Sequence, residues 1–238
     1  VLYFFLILTL GLLLIAAGFR YFVTTRVARR LAVSIGHFRD LAMAPTRRRL
    51  APPDNASVRR EQAAYDAFAR ELGALGGTTL GDWEELLPDG SVAGVTRWFI
   101  DASYQICGWF AVTVHPRGTA PSTYCISQLE PLGFVTTLRS RANRRLASPA
   151  TVQSAHCSDQ VALRTVLEQH RARIGAKAVR VTSVEDAQAM VDRLRSHVAG
   201  WRQNQDPGVL LDQDLRSVLG DHYSRFGPAI SRLLRARS

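Results

Sequence analysis

A chain of 238 residues carries 30 Lys and Arg against 20 Asp and Glu, a formal net charge of +10. Eight arginines lie between positions 20 and 49, where Asp40 is the only acid, so that short segment supplies seven of the ten net charges. This excludes the pattern of a nucleic-acid binder, which spreads basic groups over a folded surface and interleaves aromatics. Three cysteines, Cys107, Cys125 and Cys157, fit a reducing compartment better than a disulfide-stapled exported domain.

Residues 1–19, VLYFFLILTLGLLLIAAGF, hold no charged side chain. As a helix the run is about 28 Å long, close to the hydrocarbon thickness of a bilayer, so 1–20 is expected to be a single transmembrane helix. Ala16, Ala17 and Gly18 would suit a cleaved leader, but the basic cluster follows the apolar run and does not precede it. Arginines beside a span stay on the cytoplasmic side. The expected location is therefore the bacterial inner (cytoplasmic) membrane, single-pass, with the bulk of the chain in the cytoplasm. Arg20, Arg26, Arg29, Arg30, Arg47, Arg48 and Arg49 are the expected contacts to anionic lipid headgroups.

Residues 21–54 read as a basic juxtamembrane helix and a linker. Val27, Leu31, Ile35, Phe38 and Leu41 recur at helical spacing, as an interfacial helix or as a continuation of the span whose stripe is covered by the domain or a partner. The stretch 44–54, APTRRRLAPPD, reads as the Pro/Arg linker. A cytoplasmic α+β domain with a helical C-terminal part is expected over 55–238, large enough to bury its own core.

Asn55 is the expected N-cap of a helix reaching Leu75, with Val58, Tyr65, Phe68, Leu72 and Leu75 on one stripe. Four strands follow at 94–101, 106–115, 122–130 and 133–140, rich in β-branched and aromatic residues and separated by links too short for a crossover. In the second, Ile106, Gly108, Phe110, Val112 and Val114 alternate with Cys107, Trp109, Ala111 and Thr113, and both sets are largely apolar. Helices should cover one face, and a partner or a further element part of the other.

Asp159 is expected to cap a helix ending at Ile174, and a short strand over 178–182 to join the sheet. Ser183 opens a helix whose Val184, Ala187, Val191, Leu194, Val198 and Trp201 form a continuous seam suited to another helix. Helices at 210–220 and from Pro228 complete the chain. The expected fold class is α+β: one N-terminal transmembrane helix, then a four- to five-stranded, mainly antiparallel sheet packed by helices.

Motifs for chemistry are sparse. No Cys-x-x-Cys or His-x-x-x-His pair points to a metal, and no P-loop, Gly-x-Gly-x-x-Gly or nucleophile elbow points to a cofactor or acyl transfer. Cys125 or Cys157 with His170 is the one conceivable nucleophile and base. Trp83, Trp98, Trp109 and Trp201 are core packing or, if exposed, interface anchors. The expected function is a non-enzymatic accessory or scaffold subunit of a larger membrane protein complex. Leu6, Leu10, Leu13, Trp98 and Trp109 form its candidate partner surface, with no cofactor, nucleic acid or small-molecule substrate. A membrane-tethered enzyme or a signalling adaptor is the alternative.

Overall fold

The computed structural model describes residues 21–236 apart from 23, 37–46, 53, 87–89, 116–117, 142–145 and 176–177. The expected span, with Arg20, Leu6, Leu10 and Leu13, lies outside them. Among the described residues no helix is long and apolar enough to cross a membrane. The chain divides into two compact units. One comprises Met43–Arg144 with Ser148–Gln205, and the other Val1–Ala42, Arg145–Ala147 and Asp206–Ser238.

The first unit is built on seven strands in sequential spatial order: β1 (Arg47–Leu50), β2 (Thr78–Leu86), β3 (Val92–Ile100), β4 (Cys107–His115), β5 (Gly118–Leu129), β6 (Gly133–Arg139) and β7 (Val152–Cys157). All neighbours pair antiparallel except β6 and β7, which run parallel. The link from 140 to 151 has the dozen residues that a parallel return needs.

Seven strands replace the expected four or five, and the three additional ones have a common physical reason. β1 lies inside the expected linker, β2 reads TTLGDWEEL, and β7 reads VQSAHC; none carries the apolar alternation of a half-buried strand. Polar side chains hold the first two in place. Arg97 clasps Asp82 through two bonds of 2.7 and 2.8 Å. The buried Glu84 accepts from Arg49 Nε and Asn55 Nδ2, both at 2.6 Å, which ties β1 and β2 to the cap of the next helix. The expected strand at 178–182 reduces to a single bridge between Leu129 and Ala178, followed by bonds from Val179 N to Gln128 O and Val181 N to Tyr104 O.

Both faces of the sheet are covered from within the unit. Short α2 (Ala56–Arg60), capped by Asn55 as expected, breaks at Glu61 before α3 (Gln62–Ala74). α3 and α4 (Leu163–Ile174) bury Tyr65, Phe68, Leu72, Leu163, Val166 and Leu167 against Phe99, Phe110, Cys125 and Val135. Phe68 stacks on Phe110 at 4.5 Å between ring centres. Asp159 does not cap α4; the cap lies at Ala162, three residues later than expected, and Leu163 N donates to Glu71 of α3 at 2.8 Å.

On the opposite face, α5 (Val184–Gln203) packs Ala187, Met190, Val191 and Leu194 on Trp98, Ile100, Cys107, Ile126 and Phe134. Its N-cap is Ser183, which accepts from Asp186 N at 3.1 Å. The seam expected to meet a helix meets the sheet, and of the two covers expected for the second apolar face, a partner or a further element, it is the further element α5 that packs there.

The second unit brings one helix that precedes the sheet together with two that follow it. The helix over 24–36, α1, presents Ala28, Ala32 and Ile35 to Leu211 and Leu215 of α6 (Pro207–Leu219) and Ile230 of α7 (Tyr223–Arg235). Of the expected stripe Ile35 is buried here, Val27 and Leu31 are half-buried because the small Ala28 and Ala32 take the deepest positions one residue on, and Phe38 and Leu41 lie outside the described residues. Asp206 caps α6 through bonds from Gly208 N and Val209 N, both 2.9 Å. Buried Asp214 accepts from Ala147 N at 2.8 Å, which pins a piece of the β6–β7 link to this unit. The final helix begins five residues before Pro228 and carries that proline in its interior.

Gly108 lies where a Cβ would fall onto the backbone carbonyl oxygen of Tyr124 in the next strand and within 3.0 Å of Phe99. Gly108→Ala should destabilise the sheet unit by about 3 kcal/mol, read by urea unfolding followed through tryptophan fluorescence. A loss below about 1 kcal/mol would show that β4 and β5 are not held this close.

Candidate functional site

The chemistry-bearing residues of the sheet unit converge under α4. His170 is fully buried; its Nδ1 lies 2.8 Å from Thr137 Oγ1 and its Nε2 3.0 Å from Ser127 Oγ. Arg173 Nη1 donates to Thr137 Oγ1 at 3.0 Å, and Ser127 Oγ donates to Gln105 O at 2.5 Å. At one end the Ser127 proton goes to a carbonyl that only accepts, so His170 Nε2–H donates to Ser127; burial keeps the ring from taking a second proton, which leaves Nδ1 to accept from Thr137. The order runs Arg173 to Thr137, Thr137 to His170 Nδ1, His170 Nε2–H to Ser127, and Ser127 to Gln105. His170 is thus neutral with its proton on Nε2. Burial first, then the Arg173 cation, pushes its pKa down to about 3.

Beside it, the buried Asp101 closes the β3–β4 turn. Its carboxylate accepts from Gln105 N at 3.1 Å, Ile106 N at 3.0 Å, Ser103 Oγ at 2.7 Å and Arg171 Nη2 at 2.9 Å. Burial opposes its charge, but the bonds from Ser103, Ile106 and Arg171 prevail and hold the carboxyl below its usual range. The tight turn places Tyr104 at a φ of 58°.

This arrangement positions structure and does not activate a nucleophile. Ser127 gives its proton to a carbonyl, so His170 is not its base. Burial raises the Cys125 thiol far above its ordinary value and the Cys107 thiol to about 12, which withholds the reactive thiolate. Cys157 is buried and donates to Gln169 Oε1 at 3.3 Å. Cys125, Cys157 and His170, the nucleophile and base considered from sequence, are thus packed in the interior on the α3–α4 face. Ser127, Thr137 and Asp101 carry no sequence signal of their own, since single polar residues in strand-like runs gain meaning only from the register that aligns them.

The basic residues separate into two kinds. Arg26, Arg29 and Arg30 are exposed on α1, as a headgroup contact requires. Arg48 is not available for that role: its side chain is 6% exposed, its Nη1 lies 3.1 Å from Asp192, and its guanidinium rests 5.2 Å from the Trp98 ring centre. Arg49 is exposed but paired with Glu84. Both stand on β1 in the sheet unit, as does Arg47.

Trp98 is fully buried by α5, which leaves it no surface for a partner; Trp109 beside it is half-buried. Their rings lie 5.5 Å apart, and Trp109 stacks on Tyr124 at 4.6 Å. Compared with protein-family models, curated proteins and solved structures, the chain matches none.

The buried neutral histidine fixes an acid response. Its folded pKa lies below the unfolded value near 6.5, so unfolding takes up a proton once the pH drops under about 6.5, and stability falls from there toward pH 3. Between pH 7 and pH 5 the loss from this residue should be on the order of 2 kcal/mol. His170→Gln should be less stable at pH 7 yet lose correspondingly less over that interval in denaturant titrations. Equal losses in both proteins would contradict a neutral buried His170.

Proposed function

We propose that the chain is a non-enzymatic accessory or scaffold subunit of a larger membrane protein complex, anchored by its first nineteen residues and held at the cytoplasmic face of a bacterial inner membrane. The observation that carries this reading is the helical unit directly behind the apolar segment. α1 buries Ala28, Ala32 and Ile35 against the C-terminal helices and turns Arg26, Arg29 and Arg30 outward. Arg225 and Arg232 on α7 also carry exposed or half-exposed charge.

A unit of this composition suits anionic headgroups, where each arginine near the surface contributes about 1 kcal/mol. Exposed Tyr21 and Phe22 stand at its membrane-proximal end, where aromatic side chains favour the interface. The packing of α1 on α6 and α7 brings the exposed arginines of α1 and α7 into one unit next to the proposed anchor. Arg26, Arg29 and Arg30 remain in the proposed headgroup contact, while Arg48 and Arg49 leave it. On the partner side Leu6, Leu10 and Leu13, spaced four and three apart, would share one helical face, while the buried Trp98 and the half-buried Trp109, stacked on Tyr124, leave the proposed partner surface.

Two measurements on the full chain in its membrane test this. A reporter fused after Ser238 should be active only in the cytoplasm, and periplasmic activity would reverse the orientation. A photo-crosslinker replacing Leu10 should capture one membrane protein in stoichiometric yield, whereas one on the opposite helical face at Leu12 should label lipid. Labelling of lipid alone from both positions would reduce the segment to a tether.

A further inference from the structure

A second polar cluster lies on the other face of the sheet, between the β1 edge and α5, and it brings more donors than its two carboxylates, Glu85 and Asp192, take up. Antiparallel register puts Arg48 opposite Glu85 and Leu50 opposite Trp83, so Arg48 and Trp83 project from the same face. That face also carries Trp98, on which Arg48 stacks. Gln188, Asp192 and Arg195 on α5 are spaced i, i+4 and i+7 and therefore line one stripe of the helix. Asp192 of that stripe reaches Arg48 at 3.1 Å, which fixes the stripe over the β1–β2 edge.

Five donor atoms in this cluster are buried and meet no acceptor among the described residues: Nε and Nη2 of Arg48, Nη1 of Arg195, Nε1 of Trp83 and Nε2 of Gln188. A buried, unmet donor costs about 1–3 kcal/mol, more when charged. Five together, two arginines among them, are a large cost unless an acceptor with several oxygens is shared between them. The chain's own acids do not supply it. Asp192 satisfies only Nη1 of Arg48 and is 60% exposed. The Arg195 guanidinium is held below its ordinary pKa by burial and then by the Arg48 cation, an effect that Glu85 and Asp192 do not offset.

We propose that the seam between β1, β2 and α5 is a binding site for a phosphate group, with Arg48 and Arg195 supplying charge and Trp83 and Gln188 neutral donors. A phosphate offers three terminal oxygens to donors that face one another from a strand edge and a helix stripe, and arginine matches it with charge-assisted, fork-shaped bonds. The exposed carboxylate of Asp192 and the half-buried Arg195 mark the side on which the seam meets solvent. The site is independent of the membrane reading, because all four side chains belong to the sheet unit.

The test uses the full chain in detergent micelles, with unfolding followed by intrinsic fluorescence. Inorganic phosphate should raise Tm saturably relative to chloride at equal ionic strength, as any ligand of the folded state does. Arg195→Gln should weaken the apparent affinity roughly tenfold or more, the loss expected for one charge-assisted bond. Trp83→Phe, which removes one N–H and keeps an aromatic ring, should weaken it several-fold and provides the measurement if the arginine variant does not fold. Arg164→Gln, exposed on α4 across the sheet from the seam, should leave the response unchanged.

Micelles carrying phosphatidic acid distinguish the source of the group. A shift with phosphatidic acid but not with inorganic phosphate, lost in Arg195→Gln or in Trp83→Phe, assigns the phosphate to a lipid headgroup; a shift with inorganic phosphate assigns it to a soluble species. No shift with either, or a shift that survives both Arg195→Gln and Trp83→Phe unaltered, would overturn the site.

Discussion

The sheet unit depends on one constraint: its central strands are apolar on both faces, so neither face can be left to water. Along β3, Trp98 and Ile100 point to α5 while Phe99 points to α3 and α4; along β5, Ile126 points to α5 while Cys125 points the other way. The helices on either side are the chain's answer to that alternation. Burial of a large aromatic or aliphatic side chain contributes roughly 1.5–3 kcal/mol, so the two interfaces outweigh any single polar contact. The polar groups buried under α4 are satisfied in ordered strings. The Arg173–Thr137–His170–Ser127–Gln105 string fixes the placement of α4 on β5 and β6, and Asp101 fixes the turn that begins β4.

Much of this is legible in the sequence, and the limits have a physical origin. The alternation in ICGWFAVTV separates the two faces of β4, and Asn55, Ser183 and Gly175 mark helix ends through their capping chemistry. Strands β1, β2 and β7 are not visible, because salt bridges from Arg49 and Arg97 and a parallel pairing with β6 hold them, and none of these leaves a local pattern. The largest side chains of α1 suggest one stripe, whereas the closest packing is made by Ala28 and Ala32. In sequence Arg48 reads, like its neighbours, as a surface charge; only the register of β1 with β2, and the position of α5 above them, turns it inward over Trp98.

The basic segment divides along the same line. A run of arginines behind an apolar stretch reads as one juxtamembrane feature, but its members are shared between two units. Arg26, Arg29 and Arg30 stand outward on a helix packed by small residues, and Arg48 is part of an interior cluster with unmet donors. Topology and lipid contact are proposed for the first group, and recognition of a phosphate for the second. In the same way the Trp98 face, a natural candidate for a partner, is closed by α5, which moves the proposed partner surface to the anchor and the helical unit.

Hydrogen–deuterium exchange on the full chain, compared between its native membrane assembly and the detergent-isolated protein, tests that relocation most directly. Association should add protection in the anchor, in α1 and in α6–α7, and leave the amides of β3 and β4 around Trp98 and Trp109 equally slow in both states. New protection across β3, β4 and α5 on assembly, with none in the helical unit, would mean that the sheet is open to a partner and would contradict a partner surface made by the anchor and the helical unit.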